Sequence, residues 1–323
     1  MKLDSLAGNA ALKSQLSAQA VSRGLSHAYL ISGPAGSGKA TLVRLLAAAL
    51  VCTGGGEIPC GTCPGCKKAL GGIHPDVIHV DLLEDKREIL VDQARQMRSD
   101  AFIRPNEADR KVYVVHHADT MNAYAQNAIL KLLEEGPAYA AFLLLCENPG
   151  SILPTIRSRC EGLSLTPVSL REAEDWLSAR FPDADPARRE RAARNCEGIL
   201  GRAVRELEGE GESETVPPAA QTLLSLAAGG DELALAGFCI SLEKWKREDL
   251  AALLSAAIGL LREALLIQTG AQAPGGPELA PVAALPQKRL LSWAQALEEL
   301  RRATQFNVGV GHLCGALCAA LSR

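Results

Sequence analysis

A glycine-rich turn between an apolar strand and a helix constrains the fold of this chain more than any other feature. The turn reads Gly-Pro-Ala-Gly-Ser-Gly-Lys over residues 33–39, with apolar residues 27–31 before it and a helical pattern over 39–50 after it. Glycines at such a turn let backbone N–H groups converge on phosphate oxygens, and the helix N-terminus adds positive potential. This strand–loop–helix order predicts a P-loop domain.

Strand and helix patterns alternate through the first half of the chain and then give way to helices. Further strands are predicted over 77–82, 112–117 and 141–146, with a helix over 122–135 between the last two. This order is typical of an α/β domain with a parallel sheet and flanking helices. After Pro167 only helical patterns remain. Ser169 with Glu172 forms a capping box, and Asp185 followed by Pro186 begins another helix.

Three domains are therefore predicted. They are a P-loop domain over 1–166, a small helical lid over 167–209 and an all-α domain over 215–323. A polar linker over 209–214 separates the last two, and a Gly/Pro-rich loop over 270–281 interrupts the final helices.

The phosphate loop and the strand facing it lack residues that ATP hydrolysis normally requires. A hydroxyl that binds Mg²⁺ normally follows the lysine, but this chain has Ala40 there, and Thr41 comes one position late. The facing strand should end in acids for Mg²⁺ and for the attacking water, and it ends in His116 and His117. A neutral imidazole brings no charge to a Mg²⁺–phosphate cluster, and Mg²⁺ prefers oxygen. Asp119 is expected beyond the strand end.

We therefore predict a degenerate nucleotide pocket that does not hydrolyse ATP. Two outcomes stay open, of which we favour the first: an empty scaffold, or ATP or ADP bound without turnover. The residues that would contact nucleotide through the loop are Gly33, Gly36, Gly38, Lys39 and Thr41.

Four cysteines form a separate candidate site within an insert over 52–66. Cys52, Cys60, Cys63 and Cys66 have the spacing C-x7-C-x2-C-x2-C, and the last three are interleaved with turn-forming glycine and proline. Four thiolates suit tetrahedral Zn²⁺, and a closed set of four leaves no position for catalysis. We predict a structural zinc site; unrelated buried thiols or a redox pair are the alternatives.

Composition excludes some classes of protein. The net charge of −3 excludes a strongly basic protein that coats DNA by itself. The N-terminal segment has no apolar run of a signal peptide, and the ten cysteines therefore indicate metal binding in a reducing compartment. We expect a cytoplasmic protein with no membrane partner.

Taken together, these segments resemble the bacterial clamp-loader AAA+ family. The resemblance covers nearly all of the N-terminal half and, more weakly, the rest. Its most specific piece is ILPTIRSRC over 152–160. The other segments that carry it are GPAGSGK at 33–39, the four-cysteine insert at 52–66, His-Pro-Asp at 74–76, KVYVVHHADTM at 111–121 and QNAILKLLEEGP at 126–137.

The resemblance implies roles that the residues alone do not give. In the family, the arginine of the Ser158-Arg159-Cys160 motif acts in trans on ATP bound by the neighbouring subunit. Such a guanidinium neutralises charge that develops on the transferred phosphate. An ordinary surface arginine or one that caps a carbonyl is the alternative. The resemblance also implies a nucleotide-sensing residue at Arg202, whose alternative is a structural role, and a helical collar through which subunits assemble.

The resemblance thus implies a non-hydrolysing clamp-loader subunit. It would load the sliding clamp onto primed DNA during replication, with the other loader subunits, the clamp and DNA as partners. No activity is expected of the chain alone, which would belong by assembly to a DNA-directed DNA polymerase, a nucleotidyltransferase. Two alternatives stay open: an ATP-hydrolysing AAA+ clamp-loader subunit and a zinc-dependent nucleic-acid-binding protein.

Overall fold

The computed structural model separates the chain into two units, Met1–Leu207 and Glu208–Arg323. It describes residues 1–22, 24–83, 86–208, 216–269, 279–304 and 308–322. The predicted linker over 209–214 and residues 270–278 of the predicted Gly/Pro loop lie outside the described residues.

The first unit is built on a parallel sheet, which confirms the predicted fold class. In its described part the sheet has five strands: β1 (Ala28–Ser32), β2 (Val77–Val80), β3 (Lys111–Val115), β4 (Ala140–Cys146) and β5 (Glu161–Ser164). Their order is β2-β3-β4-β1-β5, and every pairing is parallel. Because β1 lies between β4 and β5, the phosphate loop that follows it lies at the edge where the carboxyl ends of the strands meet. Sequence patterns did not predict β5.

Nine helices accompany this sheet in the described part of the first unit. They are α1 (Ala10–Ser22), α2 (Lys39–Leu50), α3 (Pro64–Leu70), α4 (Val91–Ala101), α5 (Ala123–Glu135), α6 (Pro154–Arg157), α7 (Leu170–Arg180), α8 (Pro186–Asn195) and α9 (Leu200–Glu208). The bounds of α2 agree with the predicted 39–50. Those of α5 agree to within one residue, since Asn122 caps α5 by accepting the N–H of Ala125 at 3.0 Å.

Alternate residues of each strand supply two separate cores, one on each face of the sheet. On β3, Val112 and Val114 pack with α1, α2 and α3, whereas Tyr113 and Val115 pack with α4 and α5. Side chains of a strand alternate between faces, and a parallel sheet is usually covered on both. This double burial explains the continuous apolar runs that β1, β3 and β4 show in the sequence.

The helices α7, α8 and α9 share a small core of their own. Ala173 and Leu177 of α7 pack there with Ala192 and Ala193 of α8. The predicted capping box holds: Ser169 accepts the N–H of Glu172, whose carboxylate accepts the N–H of Ser169. The predicted three-domain division stays a prediction, because the structure resolves two units.

The second unit is entirely helical in its described part. Its helices are α10 (Val216–Gly229), α11 (Glu232–Ser241), α12 (Arg247–Gln268), α13 (Ala280–Ala283), α14 (Gln287–Ala303) and α15 (Val310–Leu321). Trp293 lies in its core, with Arg289 5.0 Å from the indole ring. By length and composition α12 could cross a membrane, but Leu250, Leu254 and Leu261 pack into this core. One buried stripe is typical of a core helix.

Candidate functional site

The phosphate loop folds at the junction of β1 and α2, and its lysine turns back onto the loop. Gly36 and Gly38 have φ of 81° and 98°, a region that favours glycine. The Lys39 ammonium donates to the carbonyl oxygens of Gly33 at 2.5 Å and Pro34 at 3.0 Å. Burial lowers the pKa of Lys39, although nearby acids work in the other direction. The lysine charge is therefore directed into its own loop.

A cavity of about 450 Å³ lies against this loop. Its volume is that of a small-molecule site, for which about 300–1,000 Å³ is usual. Of the predicted nucleotide-binding residues, those that line the cavity are Gly36, Gly38, Lys39 and Thr41. Gly33 is not among the lining residues, and its carbonyl accepts a hydrogen bond from Lys39.

Two histidines line the cavity where acids were missing from the sequence. His116 Nε2 lies 2.9 Å from His79 Nδ1, and the two rings stack. Burial lowers the pKa of His116, which favours the neutral imidazole. His117 Nε2 lies 4.0 Å from Asp81 Oδ1. Neither histidine supplies the oxygen that Mg²⁺ prefers.

Two acids do reach the cavity from other positions. Asp119 lies just past the strand, as predicted, in a short 3₁₀ helix, and Glu147 follows β4. Asp119 Oδ2 accepts the backbone N–H groups of Glu147 at 2.9 Å and Asn148 at 3.0 Å. One oxygen of Asp119 is therefore committed to holding the end of β4. No pattern in the sequence indicated that Glu147 would line the cavity.

The phosphate loop contacts the start of α9 through a pair of glycines. The N–H of Gly201, in the first turn of α9, donates to the carbonyl of Gly36 at 3.0 Å. A Cβ on Gly201 would come within 2.6 Å of the Gly36 Cα, so the approach requires glycine. The neighbouring Arg202 pairs with Glu197 at 2.9 Å and is not among the residues that line the cavity.

The four predicted zinc ligands come together. The Sγ atoms of Cys52, Cys60, Cys63 and Cys66 all lie within 4.8 Å of one another, and those of Cys60 and Cys66 are 3.8 Å apart. A tetrahedral zinc with Zn–S bonds of about 2.3 Å separates its sulfurs by about 3.8 Å. The cluster could therefore hold a metal ion. The nearby His74 is not a member of the cluster, and its Nδ1 accepts the N–H of Asp76.

Backbone N–H groups directed at two of these sulfurs favour thiolates. The N–H of Cys63 donates to Cys60 Sγ at 3.3 Å, and this contact does most to lower the pKa of Cys60 to about 5. Burial opposes ionisation of Cys63, but the N–H of Cys66 at 3.4 Å and contacts with Thr53 outweigh it and bring the pKa to about 7. Burial raises the pKa of Cys66 to about 12. A metal cation would stabilise the thiolate form of all four.

The Ser158-Arg159-Cys160 segment joins α6 to β5. Arg159 donates through Nη1 to the carbonyl of Thr155 at 2.8 Å and to Ser158 Oγ at 3.3 Å, and its Nη2 forms an ion pair with Glu134 on α5. Arg159 thus caps a carbonyl, as in the alternative role considered from the sequence, while 36% of its side chain stays exposed. Cys160 packs against the α5 face of the sheet, where burial raises its pKa to about 12.

One buried carboxylate was missed by the sequence reading. Asp76, within the His-Pro-Asp segment, accepts the N–H groups of Asn106, Glu107 and Ala108 at 2.6, 2.8 and 2.9 Å. These donors lower the pKa of Asp76 although its burial acts to raise it. The residue ties the start of β2 to the loop before β3.

Comparison with known proteins places residues 8–169 in the family described as DNA polymerase III, delta subunit. The chain is 38% identical over 153 residues to DNA polymerase III subunit delta′ of Bacillus subtilis, covering 47% of this chain and 46% of that protein. It is 36% identical over 163 residues to the delta′ subunit of Pseudomonas aeruginosa, covering 50% and 49%. This chain therefore spans about half the length of these curated relatives.

Among solved structures, a DNA polymerase III gamma subunit-related protein from Thermotoga maritima is similar. Its TM-score is 0.48 at 18% identity, and the match covers 96% of this chain and 98% of that one.

Proposed function

Because this chain belongs to the DNA polymerase III delta-subunit family of clamp-loader AAA+ proteins, we propose that it is a clamp-loader subunit of the delta prime type that hydrolyses no ATP itself. Within a hetero-oligomeric loader it helps to place the sliding clamp on primed DNA. Its partners are the ATPase and clamp-opening subunits, with the clamp and DNA reached through the assembly. By membership it belongs to a DNA-directed DNA polymerase holoenzyme of the cytoplasm.

The observation that carries this proposal is a phosphate loop without catalytic surroundings. The loop keeps its fold, but Lys39 donates to the loop carbonyls. Ala40, His116 and His117 stand where an active ATPase has its Mg²⁺-binding and water-activating residues. A retained loop with these replacements fits a scaffold better than a motor.

Arg159 has the chemistry for action in trans. Its planar guanidinium suits phosphate oxygens, and the residue lies two positions after the end of α6 with about a third of its side chain exposed. In the proposed assembly its guanidinium meets the outer phosphate of ATP on the adjoining subunit, where such a group accelerates phosphoryl transfer by about 10³–10⁵-fold in related chemistry.

Zinc has a structural part in this proposal. The four thiolates occupy every position of a tetrahedral ion, which leaves no place for a substrate or water. The zinc-dependent nucleic-acid-binding alternative draws on the same cluster, but the net charge of −3 disfavours it.

The hydrolysing alternative has one observation in its favour. Asp119 and Glu147 both line the cavity and could bring oxygen atoms near a bound phosphate. Asp119 is partly committed to the backbone after β4, and no hydroxyl follows Lys39 directly. We therefore rank this function second.

Two measurements on purified protein test the proposal. The chain alone should show no ATP turnover, so a rate of about 1 s⁻¹, the low end of ordinary enzymes, would favour the hydrolysing alternative. In a reconstituted loader, Arg159→Ala should leave assembly intact and lower the ATPase rate in the presence of clamp and primed DNA. A wild-type rate for that mutant loader would remove the role proposed for Arg159.

A further inference from the structure

Arg159, which we propose acts on ATP of a neighbouring subunit, forms an ion pair with Glu134 of its own chain. We propose that Glu134 is a positioning residue whose carboxylate competes with the partner's ATP for Arg159. This competition sets how tightly the neighbouring subunit binds ATP. This inference rests on the proposed function, because it assumes that Arg159 serves a partner's site.

The three contacts of Arg159 differ in their chemistry. Thr155 and Ser158 are local in sequence and offer neutral oxygens, which orient the guanidinium without neutralising it. Glu134 comes from α5 and contributes a carboxylate to Nη2. Of these three contacts, only the one with Glu134 competes electrostatically with a phosphate.

The burial of the pair makes it exchangeable. The side chains of Arg159 and Glu134 are 36% and 34% exposed, so water screens their attraction. A triphosphate offers more charge and two oxygens in the planar geometry that a guanidinium prefers. ATP on a neighbour therefore displaces Glu134, and the cost of that displacement weakens ATP binding there by about two- to fivefold, the upper range for exposed pairs.

The fold holds Arg159 and Glu134 in fixed positions relative to each other. At the start of α5 the buried Gln126 donates to the carbonyl of Ser151 at 3.0 Å and accepts the N–H of Leu153 at 2.7 Å. The segment that leads to Arg159 is thus fixed to the helix that carries Glu134. The pair is built into the junction of α5 and α6 and does not depend on a chance surface approach.

The test is a double-mutant cycle in the reconstituted loader, with ATP turnover and the affinity for a non-hydrolysable ATP analogue as readouts. Glu134→Gln keeps the shape and an acceptor but removes the charge, and it should lower KM and the analogue Kd about two- to fivefold with kcat unchanged. Glu135→Gln, which removes an exposed charge from the next residue of α5, is the matched control and should change neither. In an Arg159→Ala background, Glu134→Gln should have no effect. In about 1 M salt the effect of Glu134→Gln should vanish, since screening already weakens the pair.

The possible outcomes distinguish a failure of the proposed function from a failure of the role proposed for Glu134. If Arg159→Ala leaves turnover unchanged, the proposed function fails at this residue. If Arg159→Ala lowers turnover but Glu134→Gln leaves KM and Kd unchanged, or shifts them equally without Arg159, only the inference about Glu134 is overturned. Melting curves of the two glutamine variants show whether either change acts through stability.

Discussion

The two faces of the sheet have opposite chemical characters. On the face covered by α1, α2 and α3, charged and reactive groups turn inward: Lys39 binds its own loop, and the four cysteines face one another. On the face covered by α4 and α5, the packed Cys160 is preceded by Arg159, which stays partly exposed. This difference fits the proposed function, in which the chain does not use its own phosphate site but offers Arg159 to a neighbouring subunit.

The separation of these faces is physical as well as chemical. Because strand side chains alternate, Tyr29 and Ile31 belong to one core while Ala28 and Leu30 belong to the other. A change confined to one core should reach the other only through the strand backbones. The first of the following predictions tests that independence directly, and the others test single contacts of the first unit, in order of decreasing effect.

Loss of the metal should give the largest effect. Cys63→Ser should release one zinc per chain and destabilise the first unit by about 3 kcal/mol or more, because loss of a structural metal belongs to the most damaging class of changes. Elemental analysis and denaturant unfolding measure the two effects. Hydrogen exchange should accelerate more in α2 and α3 than in α5 and over residues 152–160, because local opening next to the lost metal adds to the loss of global stability.

Cys239→Ser is the matched control, since that buried cysteine belongs to the core of the second unit and is not one of the four cluster cysteines. Metal-free wild-type protein of normal stability would overturn the zinc assignment. Equal acceleration of exchange on both faces would show that the two cores do not respond independently.

Removing the charge of Asp76 should cost about 1–3 kcal/mol at neutral pH, because Asp76→Asn leaves buried N–H donors facing an amide. The folded-state pKa of Asp76 lies below its unfolded value of about 3.9, so its contribution is present above that value and is lost as pH falls through the folded pKa. Unfolding measured from pH 7 to pH 2 should show the gap between wild type and variant narrowing in acid. Asp109→Asn, an exposed carboxylate in the same loop, is the control, and a pH-independent gap would contradict the assignment.

The glycine contact between the phosphate loop and α9 should be sensitive to a single methyl group. Gly201→Ala should destabilise the first unit by about 1–2 kcal/mol, since its Cβ would meet the Gly36 Cα at 2.6 Å. Gly259→Ala, in α12 with open space around it, should instead stabilise by about 1 kcal/mol. Thermal melts of both variants check the signs. A neutral Gly201→Ala would mean that α9 does not stay against the loop in solution.

The smallest effect is expected for the substitution of Lys39. Lys39→Ala in the reconstituted loader should leave ATP turnover within about twofold of wild type, although the same change would disable a working phosphate loop. Addition of ATP or ADP to the chain alone should leave its melting temperature unchanged. A nucleotide present at 100 times its Kd would add about 2.7 kcal/mol, so such a shift would revive the nucleotide-binding alternative.

How much could be predicted depended on how local each feature is. The phosphate loop, α2, the Ser169 capping box and the cysteine cluster follow from residues close together in sequence, and their patterns indicated them correctly. Strand β5 escaped prediction because Glu161–Ser164 has only one apolar side chain beside a glycine and two polar residues, and its hydrogen bonds to β1 stabilise it as a strand. The roles of Arg159, Arg202 and the loop residues stay predictions.

The sequence by itself determined the fold class, the four thiols and the loss of the motor residues, because backbone propensity, burial pattern and ligand chemistry are written in short segments. Only the tertiary structure decided that Arg159 meets Glu134, that Gly201 meets Gly36 and that Asp76 holds the loop before β3. Each of these contacts joins residues far apart in the chain. Their energy depends on distance and burial, which exist only after the two cores have formed on the opposite faces of the sheet.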